Sequence, residues 1–153
     1  MLSKSSKYAI RAVLYIANYT SESHKVGSKE VAKKLQIPAP FLAKTLQELT
    51  RKEIISSIKG PNGGFYLTKK NAQKSLFEII ECIDGIDKFD KCFLGQLECN
   101  DNKPCIVHHL YSPFKNKLIE ELKTKTIIEM AIEYKKNNNL PEIITLDEHL
   151  KKI

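Results

Sequence analysis

The chain has 153 residues, with 25 Lys and Arg against 18 Asp and Glu, a formal net charge of +7. This length suits one ordinary domain, or one small domain with an appendage, and a hydrophobic content of 42% argues against wholesale disorder. Residues 1–70 hold 13 basic and four acidic side chains, a net charge of +9, whereas residues 71–153 hold 12 and 14, a net charge of −2. This asymmetry favours a nucleic-acid partner for the first half, although a Lys-rich solvated surface is the plainer alternative.

The longest apolar stretch near the N-terminus, residues 9–17, has nine residues and contains Arg11. It is too short to span a bilayer, and no small-residue cleavage site follows it. We therefore expect a cytoplasmic protein with no membrane association. In that compartment the four cysteines are expected to be thiols rather than a disulfide framework.

Three helices are predicted in the first 51 residues. Apolar residues recur at helical spacing from residue 8 to residue 16, and a second, shorter helix is expected to begin with Ser28 as its N-cap. After a Pro-rich turn, Pro40 suits the first position of a third helix, because its missing N–H costs little there.

The third helix has two distinct faces. Its leucines at positions 42, 46 and 49 form one stripe, and at 100° per residue Lys44, Gln47 and Arg51 lie on the opposite side. Two helices joined by a tight turn, the second with a polar and basic outer face, indicate a helix-turn-helix.

A β-hairpin is predicted directly after this unit. Residues 54–59 and 65–68 read as short strands, and the glycine-rich residues 60–64 between them form the turn. A hairpin in this position is typical of a wing, whose backbone and Lys59 can approach DNA phosphates or enter the minor groove. An ordinary surface hairpin is the alternative.

The second half is predicted to be helical around an irregular loop. Ser75 and Glu78 form a capping box that opens a fourth helix, which Gly85 ends, and Thr126 and Glu129 open the last one. Between them, a helix resumes near Cys105, with a kink or restart expected at the proline at position 113. Residues 137–153 read as a flexible tail.

The loop carries a candidate metal centre. Cys92, Cys99 and Cys105 are separated by six and five residues, and His108 follows three positions later. Three thiolates and an imidazole can hold an iron–sulfur cluster or a zinc ion, but structural zinc prefers shorter cysteine spacings. The alternative is a loop of unligated cysteines, and Cys82 is expected to be a small buried apolar side chain.

The motifs of enzymes are missing from this sequence. It contains no serine–histidine–aspartate arrangement with a supporting elbow and no phosphate-binding glycine-rich loop before a helix. We therefore expect no catalytic residues and a protein that is not an enzyme.

Four features occur in one order along residues 1–135: KYAIRAVLYIA, then IPAPFLAKTLQELTRKEIISSIKGPNGGFYL, then LFEIIECIDG, then a three-cysteine loop before a helix. This arrangement resembles the Rrf family of bacterial winged-helix transcriptional regulators, in particular its IscR- and NsrR-like iron–sulfur branch. The resemblance implies a mainly α fold with a small β-hairpin wing, followed by C-terminal dimerisation helices. It also implies a homodimer that binds double-stranded promoter DNA at a palindromic site.

The resemblance further implies that the three loop cysteines hold an iron–sulfur cluster and that His108 completes a 2Fe-2S site, with 4Fe-4S left open. Promoter binding would then respond to iron, redox state or nitric oxide. A regulator of the same fold that senses through thiol oxidation or another ligand is the first alternative, and a zinc-stabilised interaction module is the second.

The resulting expectation divides the chain into three parts: a winged helix-turn-helix at 1–70, a cluster loop with dimerisation helices at 71–136, and the tail at 137–153. Lys44 and Gln47 are expected to face the major groove, with Thr45 nearer the core boundary. The complete set of expected DNA-binding residues is Ser28, Lys29, Pro40, Lys44, Thr45, Gln47, Lys59, Gly60, Asn62, Gly63 and Gly64.

Overall fold

Helices account for most of residues 2–137, the part of the chain that the computed structural model describes. This part contains seven α-helices and a two-stranded antiparallel hairpin, which confirms the predicted fold class. The elements are α1 (Lys4–Tyr19), α2 (Ser28–Leu35), α3 (Ala39–Arg51), β1 (Ser56–Ile58), β2 (Gly64–Tyr66), α4 (Lys69–Ala72), α5 (Leu76–Asp84), α6 (His108–Thr124) and α7 (Ile127–Lys136). Apart from its first residue, the predicted tail lies outside the described residues.

Two helix starts differ from the prediction by one residue. The N-cap of α2 is Gly27, in an extended conformation, and Ser28 is the first helical residue, so the N-cap prediction for Ser28 was wrong. In α3 the first residue is Ala39 and Pro40 is the second. Both first positions of a helix have N–H groups without an intrahelical partner, so proline fits either of them.

One hydrophobic core joins the helix-turn-helix to the C-terminal helices. The leucines at 42, 46 and 49 of α3 are fully buried, as their spacing predicts, and they share this core with residues of α1, α5 and α7. Ile79 of α5 and Ile127 of α7 are both 0% exposed within it. The core therefore contains residues from both sides of position 70, where a domain boundary was expected. That boundary stays a prediction.

The hairpin is short and is anchored to the segment before α2. Three pairs define its register: Ser56 with Tyr66, Ser57 with Phe65, and Ile58 with Gly64. Val26 adds a single bridge on the other side of β2, with hydrogen bonds of 3.0 and 2.7 Å to Phe65. Gly64 has φ of +146°, and a Cβ there would lie 2.7 Å from the Val26 carbonyl oxygen, so only glycine fits this crossing.

The two predicted capping boxes of the second half are confirmed. Ser75 and Glu78 cap α5, Thr126 and Glu129 cap α7, and the two caps are joined by an isolated antiparallel bridge between Ser75 and Thr126. Gly85 ends α5 with a positive φ of +86°, which glycine adopts without strain.

Helix α6 is continuous through position 113, so the chain does not restart a helix there, and the kink given as the other expectation stays a prediction. Pro113 lies inside the helix, in its second turn. There it removes only the backbone hydrogen bond to the carbonyl of His109, and the surrounding turns keep their bonds. None of the helices in residues 2–137 is both long and apolar enough to cross a bilayer.

Candidate DNA interface and cysteine site

The outward face of α3 is polar and cationic. Lys44, Gln47 and Arg51 are exposed, whereas the leucine stripe on the opposite side is buried. Glu48 lies 3.5 Å from the Arg51 guanidinium, and this pair is exposed to solvent. The face is therefore open along its length and rich in hydrogen-bond donors, as a helix that enters a DNA groove requires.

The wing lies beside this face. Lys59, Gly60 and Asn62 are exposed at its tip, and Gly63 and Gly64 are half-buried on the returning strand. A cavity of about 450 Å³ separates α3 from the hairpin, lined by Gln47, Thr50, Arg51, Ser57, Ile58, Lys59, Gly64 and Phe65. The helix and the wing thus present their donors to one shared groove.

The remaining expected DNA contacts lie at the helix starts and at the core boundary. Lys29 and Pro40 are exposed in the first turns of α2 and α3, and Ser28 is half-buried. Thr45 is 6% exposed, and its hydroxyl donates to the Phe41 carbonyl oxygen at 3.0 Å. Thr45 therefore supports α3 from the core side and offers little surface to a ligand.

The structure brings Cys92 and Cys105 together. Burial would raise the pKa of the Cys92 thiol, but hydrogen bonds from the backbone N–H groups of Leu94 and Gln96 lower it. The Cys105 thiol also hydrogen-bonds to the Cys92 sulfur, and the net result is a pKa below the usual value for cysteine. This environment favours the thiolate, which is the form that binds metals.

A second pair lies at the first residue of α6. The Cys99 Sγ atom is 3.5 Å from Nδ1 of His108, and the other ring nitrogen, Nε2, is 2.8 Å from Oδ1 of Asp101. The His108 side chain is 11% exposed, and Asp101 is open to solvent. A carboxylate on the second ring nitrogen is the arrangement that orients a histidine for metal ligation.

Tyr111 connects the two pairs. Burial raises the pKa of its phenol, and charge on Cys99 and on Cys92 raises it further, so both sulfurs lie near this ring. The ring also packs on Phe93 of the loop, with centroids 5.2 Å apart. The four expected ligands therefore share one region, between the loop and the first turn of α6.

The chemistry of this donor set fits an iron–sulfur cluster. It consists of three thiols and one imidazole, with backbone N–H groups directed at sulfur. Within residues 2–137, no three His, Cys, Asp or Glu side chains are arranged around a single metal ion; the ligands instead stand as two pairs. Cys82 lies elsewhere, half-buried on α5, with its Sγ atom 4.0 Å from the Glu48 carbonyl oxygen.

Sequence reasoning did not identify Asp101 as part of this site. Its signal is weak, because an aspartate in a polar loop is ordinary and its pairing with His108 depends on how the loop folds back. Only the position of the imidazole at the start of α6 brings the two groups within hydrogen-bond distance.

A helix-turn-helix followed by a wing, with donors on the exposed face of the second helix, defines the class of winged-helix DNA-binding proteins. The profile of the Rrf2 family, described as iron-dependent transcriptional regulators, matches residues 2–133, and the chain belongs to this family. Its members are transcriptional regulators and not enzymes, and membership implies DNA binding. The resemblance drawn from the sequence motifs is thereby confirmed.

Individual relatives agree with this assignment. An HTH-type transcriptional regulator of Aquifex aeolicus is 35% identical over 132 residues, covering 85% of this chain and 90% of that protein. The regulator IscR of Cronobacter sakazakii is 26% identical over 130 residues, covering 85% of this chain and 79% of that protein.

Solved structures show the same fold. CymR, the global cysteine regulator of B. subtilis, superimposes with a TM-score of 0.69 at 17% identity, covering 87% of this chain and 97% of that one. IscR of T. potens superimposes with a TM-score of 0.65 at 18% identity, covering 90% of each chain.

Proposed function

We propose that this transcriptional regulator binds promoter DNA under the control of an iron–sulfur cluster, of the 2Fe-2S type, held by Cys92, Cys99, Cys105 and His108. The observation that carries the proposal is the approach of these four side chains as two pairs at the start of α6. The iron dependence in the description of the family supports it. When bound, such a cluster supplies a charge and a redox state that respond to iron supply, oxidants or nitric oxide.

The protein's own groups prepare the site for ligation. Asp101 accepts a hydrogen bond from Nε2 of His108, which leaves Nδ1, the nitrogen facing Cys99, free to ligate. Backbone N–H groups at Cys92 stabilise a thiolate there without requiring a basic side chain.

Packing gives a route from this loop to the DNA-binding face. The ligands join residues 85–107 to the first turn of α6, and α6 packs on α5. Helix α5 in turn packs on both α1 and α3. A change in how the loop is held can therefore shift α6 and α5, and with them the orientation of α3.

For DNA itself, Lys44 and Gln47 would read bases in the major groove, while Ser28, Lys29 and Pro40 lie beside the phosphates at the helix starts. Lys59 and residues 60–64 of the wing would contact phosphates or the minor groove. Thr45 would act by holding the base of α3, consistent with its burial.

The exposed face of α6 supports a homodimer as part of this proposal. Leu110 is 67% exposed and Phe114 is 54% exposed one turn later, and Ile106, just before the helix, is 82% exposed. An apolar stripe of this kind on a solvent-exposed surface is typical of a protein–protein contact. Pairing of two copies through α6 would present two recognition helices to a palindromic DNA site.

The decisive experiment is purification without oxygen, followed by a visible absorption spectrum and assays of iron and acid-labile sulfide. We expect a coloured wild-type protein with iron and sulfide in equal amounts. The variant Cys99→Ala should lose both, and Cys82→Ala, which removes the cysteine outside the site, should retain them. A wild-type protein without colour and iron after anaerobic reconstitution would refute the cluster.

The contact between Cys92 and Cys105 favours a second candidate function, in which the cluster-free thiols sense oxidation. A peroxide would accept two electrons and two protons from this pair, giving one disulfide and water. In that case the colourless protein would lose DNA affinity on peroxide treatment and regain it with a thiol reductant. Equal DNA affinity of the oxidised and reduced forms would exclude this candidate.

A further inference from the structure

Asn71 is a buried polar residue outside the set of expected DNA-binding residues. It lies in α4, directly after the wing, and is 4% exposed. Burial of an amide is unfavourable unless its hydrogen bonds are satisfied, so its partners show what the side chain holds together.

The amide oxygen of Asn71 accepts three hydrogen bonds. The Ser56 hydroxyl donates at 2.8 Å, the Thr68 hydroxyl at 2.7 Å and the Thr68 backbone N–H at 3.0 Å. Ser56 begins the outgoing strand of the wing, and Thr68 follows its returning strand. The oxygen therefore joins the first residue of β1 to the N-cap of α4, just after β2, at the base of the hairpin.

The amide nitrogen of Asn71 connects this base to the recognition helix. It donates to the Glu53 carbonyl oxygen at 2.9 Å, in the turn that directly follows α3. Glu53 has a left-handed backbone with φ of +57°, an unfavourable conformation for a residue with a side chain. The bond from Asn71 helps to hold this turn, which sets the direction in which the chain leaves α3.

The hairpin needs such an anchor. It has only three paired positions, and a two-stranded hairpin of this length is marginal by itself in water. The bridge from Val26 attaches β2 and not β1. The Asn71 side chain thus bonds to β1, to the segment that follows β2 and to the turn that follows α3.

We propose that Asn71 is a positioning residue that sets the angle of the wing against the recognition helix, and so places Lys59 on the DNA backbone. This inference rests on the proposed role of the wing in DNA binding. It assigns to Asn71 no contact with DNA.

The first test needs no DNA. Hydrogen exchange should show the amides of β1 and β2 exchanging about tenfold faster in Asn71→Ala than in wild type, with the amides of α1 and α5 unchanged. Gln73→Ala, which alters an exposed side chain just after the same short helix, should match wild type. Ser56→Ala removes one of the three hydrogen-bond donors to the Asn71 amide oxygen and should give a smaller increase in the exchange of the hairpin amides. If Asn71→Ala does not fold, the Ser56 variant decides the test.

The second test measures binding to a fluorescein-labelled operator duplex, selected from a randomised library, at several salt concentrations. Asn71→Ala should weaken binding about tenfold and lower the salt slope by about one, the value of one phosphate contact. In the Asn71→Ala variant, the further substitution Lys59→Ala should then lower DNA affinity only slightly. The further substitution Lys44→Ala should lower it by the same factor as in wild type. A general loss of stability would not produce this selective coupling.

The outcomes separate this inference from the proposed function. If Lys59→Ala weakens wild-type binding but its effect is unchanged in the Asn71 and Ser56 variants, the positioning role is refuted and DNA binding by the wing stands. If Lys59→Ala has no effect in wild type, the wing does not contact DNA as proposed. Hairpin amides that exchange equally fast in wild type and in the Asn71 variant would also refute the positioning role.

Discussion

Lys44 and Thr45 are neighbours in α3, yet their environments are opposite. The helix turns about 100° per residue, which carries Lys44 into solvent and Thr45 against the core. A cation on the outer face remains hydrated and free to meet a base edge. A threonine on the inner face satisfies its hydroxyl within the helix.

This division predicts different effects of two lysine substitutions. Lys44→Ala should reduce discrimination between the operator and random DNA by about 1–3 kcal/mol, because a contact to a base edge is lost. Lys59→Ala should weaken binding to both duplexes about equally and lower the salt slope by about one. Fluorescence anisotropy with an operator selected from a randomised library would measure both. Equal losses of specificity in the two variants would contradict the assignment.

Asp101 provides a second prediction at the scale of residues. Asp101→Asn replaces the carboxylate that accepts from His108 with a neutral amide, so the imidazole loses its charged orienting partner. We expect iron retention to fall about tenfold, at the lower end for such partners because this carboxylate is exposed. Titration with a chelator would measure the loss. Glu98→Gln, an exposed acid in the same loop, is the matched control, and an equal loss in it would leave Asp101 without a specific role.

Among the elements, α1 and α5 are joined at their ends by polar contacts. Ser3 caps α1, and its backbone N–H donates to Oδ2 of Asp84 at 3.1 Å while its hydroxyl donates to Oδ1. Lys88 lies 3.8 Å from the same carboxylate. Asp84 is the last residue of α5, so this contact fixes the point at which the cysteine loop begins.

The contact makes stability depend on pH. Burial would raise the pKa of Asp84, but the hydrogen bonds from Ser3 and the charge of Lys88 bring it below the ordinary value. Because the pKa of Asp84 is lower in the folded state than the unfolded value of about 3.9, the ionised side chain stabilises the fold above that pH. This stabilisation is lost as the pH falls through the folded pKa. The difference in unfolding midpoint between wild type and Asp84→Asn should therefore shrink between about pH 6 and pH 3. Urea denaturation followed by circular dichroism would measure it, and a constant difference would contradict the prediction.

Across the whole molecule, the DNA-binding and C-terminal parts share their interior. Helix α1 packs on α5 and α7, and Asn18 of α1 donates to the Ala131 carbonyl oxygen of α7 at 3.1 Å. The apolar stripe on α6 lies outside this interior. Substitutions on that stripe should therefore affect association between copies without affecting the fold of one copy.

The corresponding prediction uses Leu110→Glu and Phe114→Glu. Each places a charge on the proposed contact between two copies and should convert a dimer to a monomer, with an unchanged circular dichroism spectrum. Asn116→Glu adds the same charge on another side of α6 and should remain dimeric. Analytical ultracentrifugation measures the mass. If the Leu110 and Phe114 variants both stay dimeric, the contact lies elsewhere.

Much of the fold was predictable because its signals are local. The leucine stripe of α3 and the capping boxes at Ser75 and Thr126 involve residues three or four positions apart, and the structure confirms them. The N-cap predicted at Ser28 and the restart considered at Pro113 were wrong, although their signals are also local. A helix start can move by one residue, and a proline in the second turn loses only one bond, so neither sequence signal is decisive.

The sequence by itself determined the order of the longer helices and the hairpin, the buried and exposed faces of α3, and the residue types gathered in the cysteine loop, but not the short helix α4. Only the tertiary structure decided which distant groups meet: Ser3 with Asp84, Asn71 with Glu53, and His108 with Asp101. Helical periodicity and capping act between near neighbours in the chain. A hydrogen bond between residues 81 positions apart depends on where whole elements pack, and no local pattern specifies that.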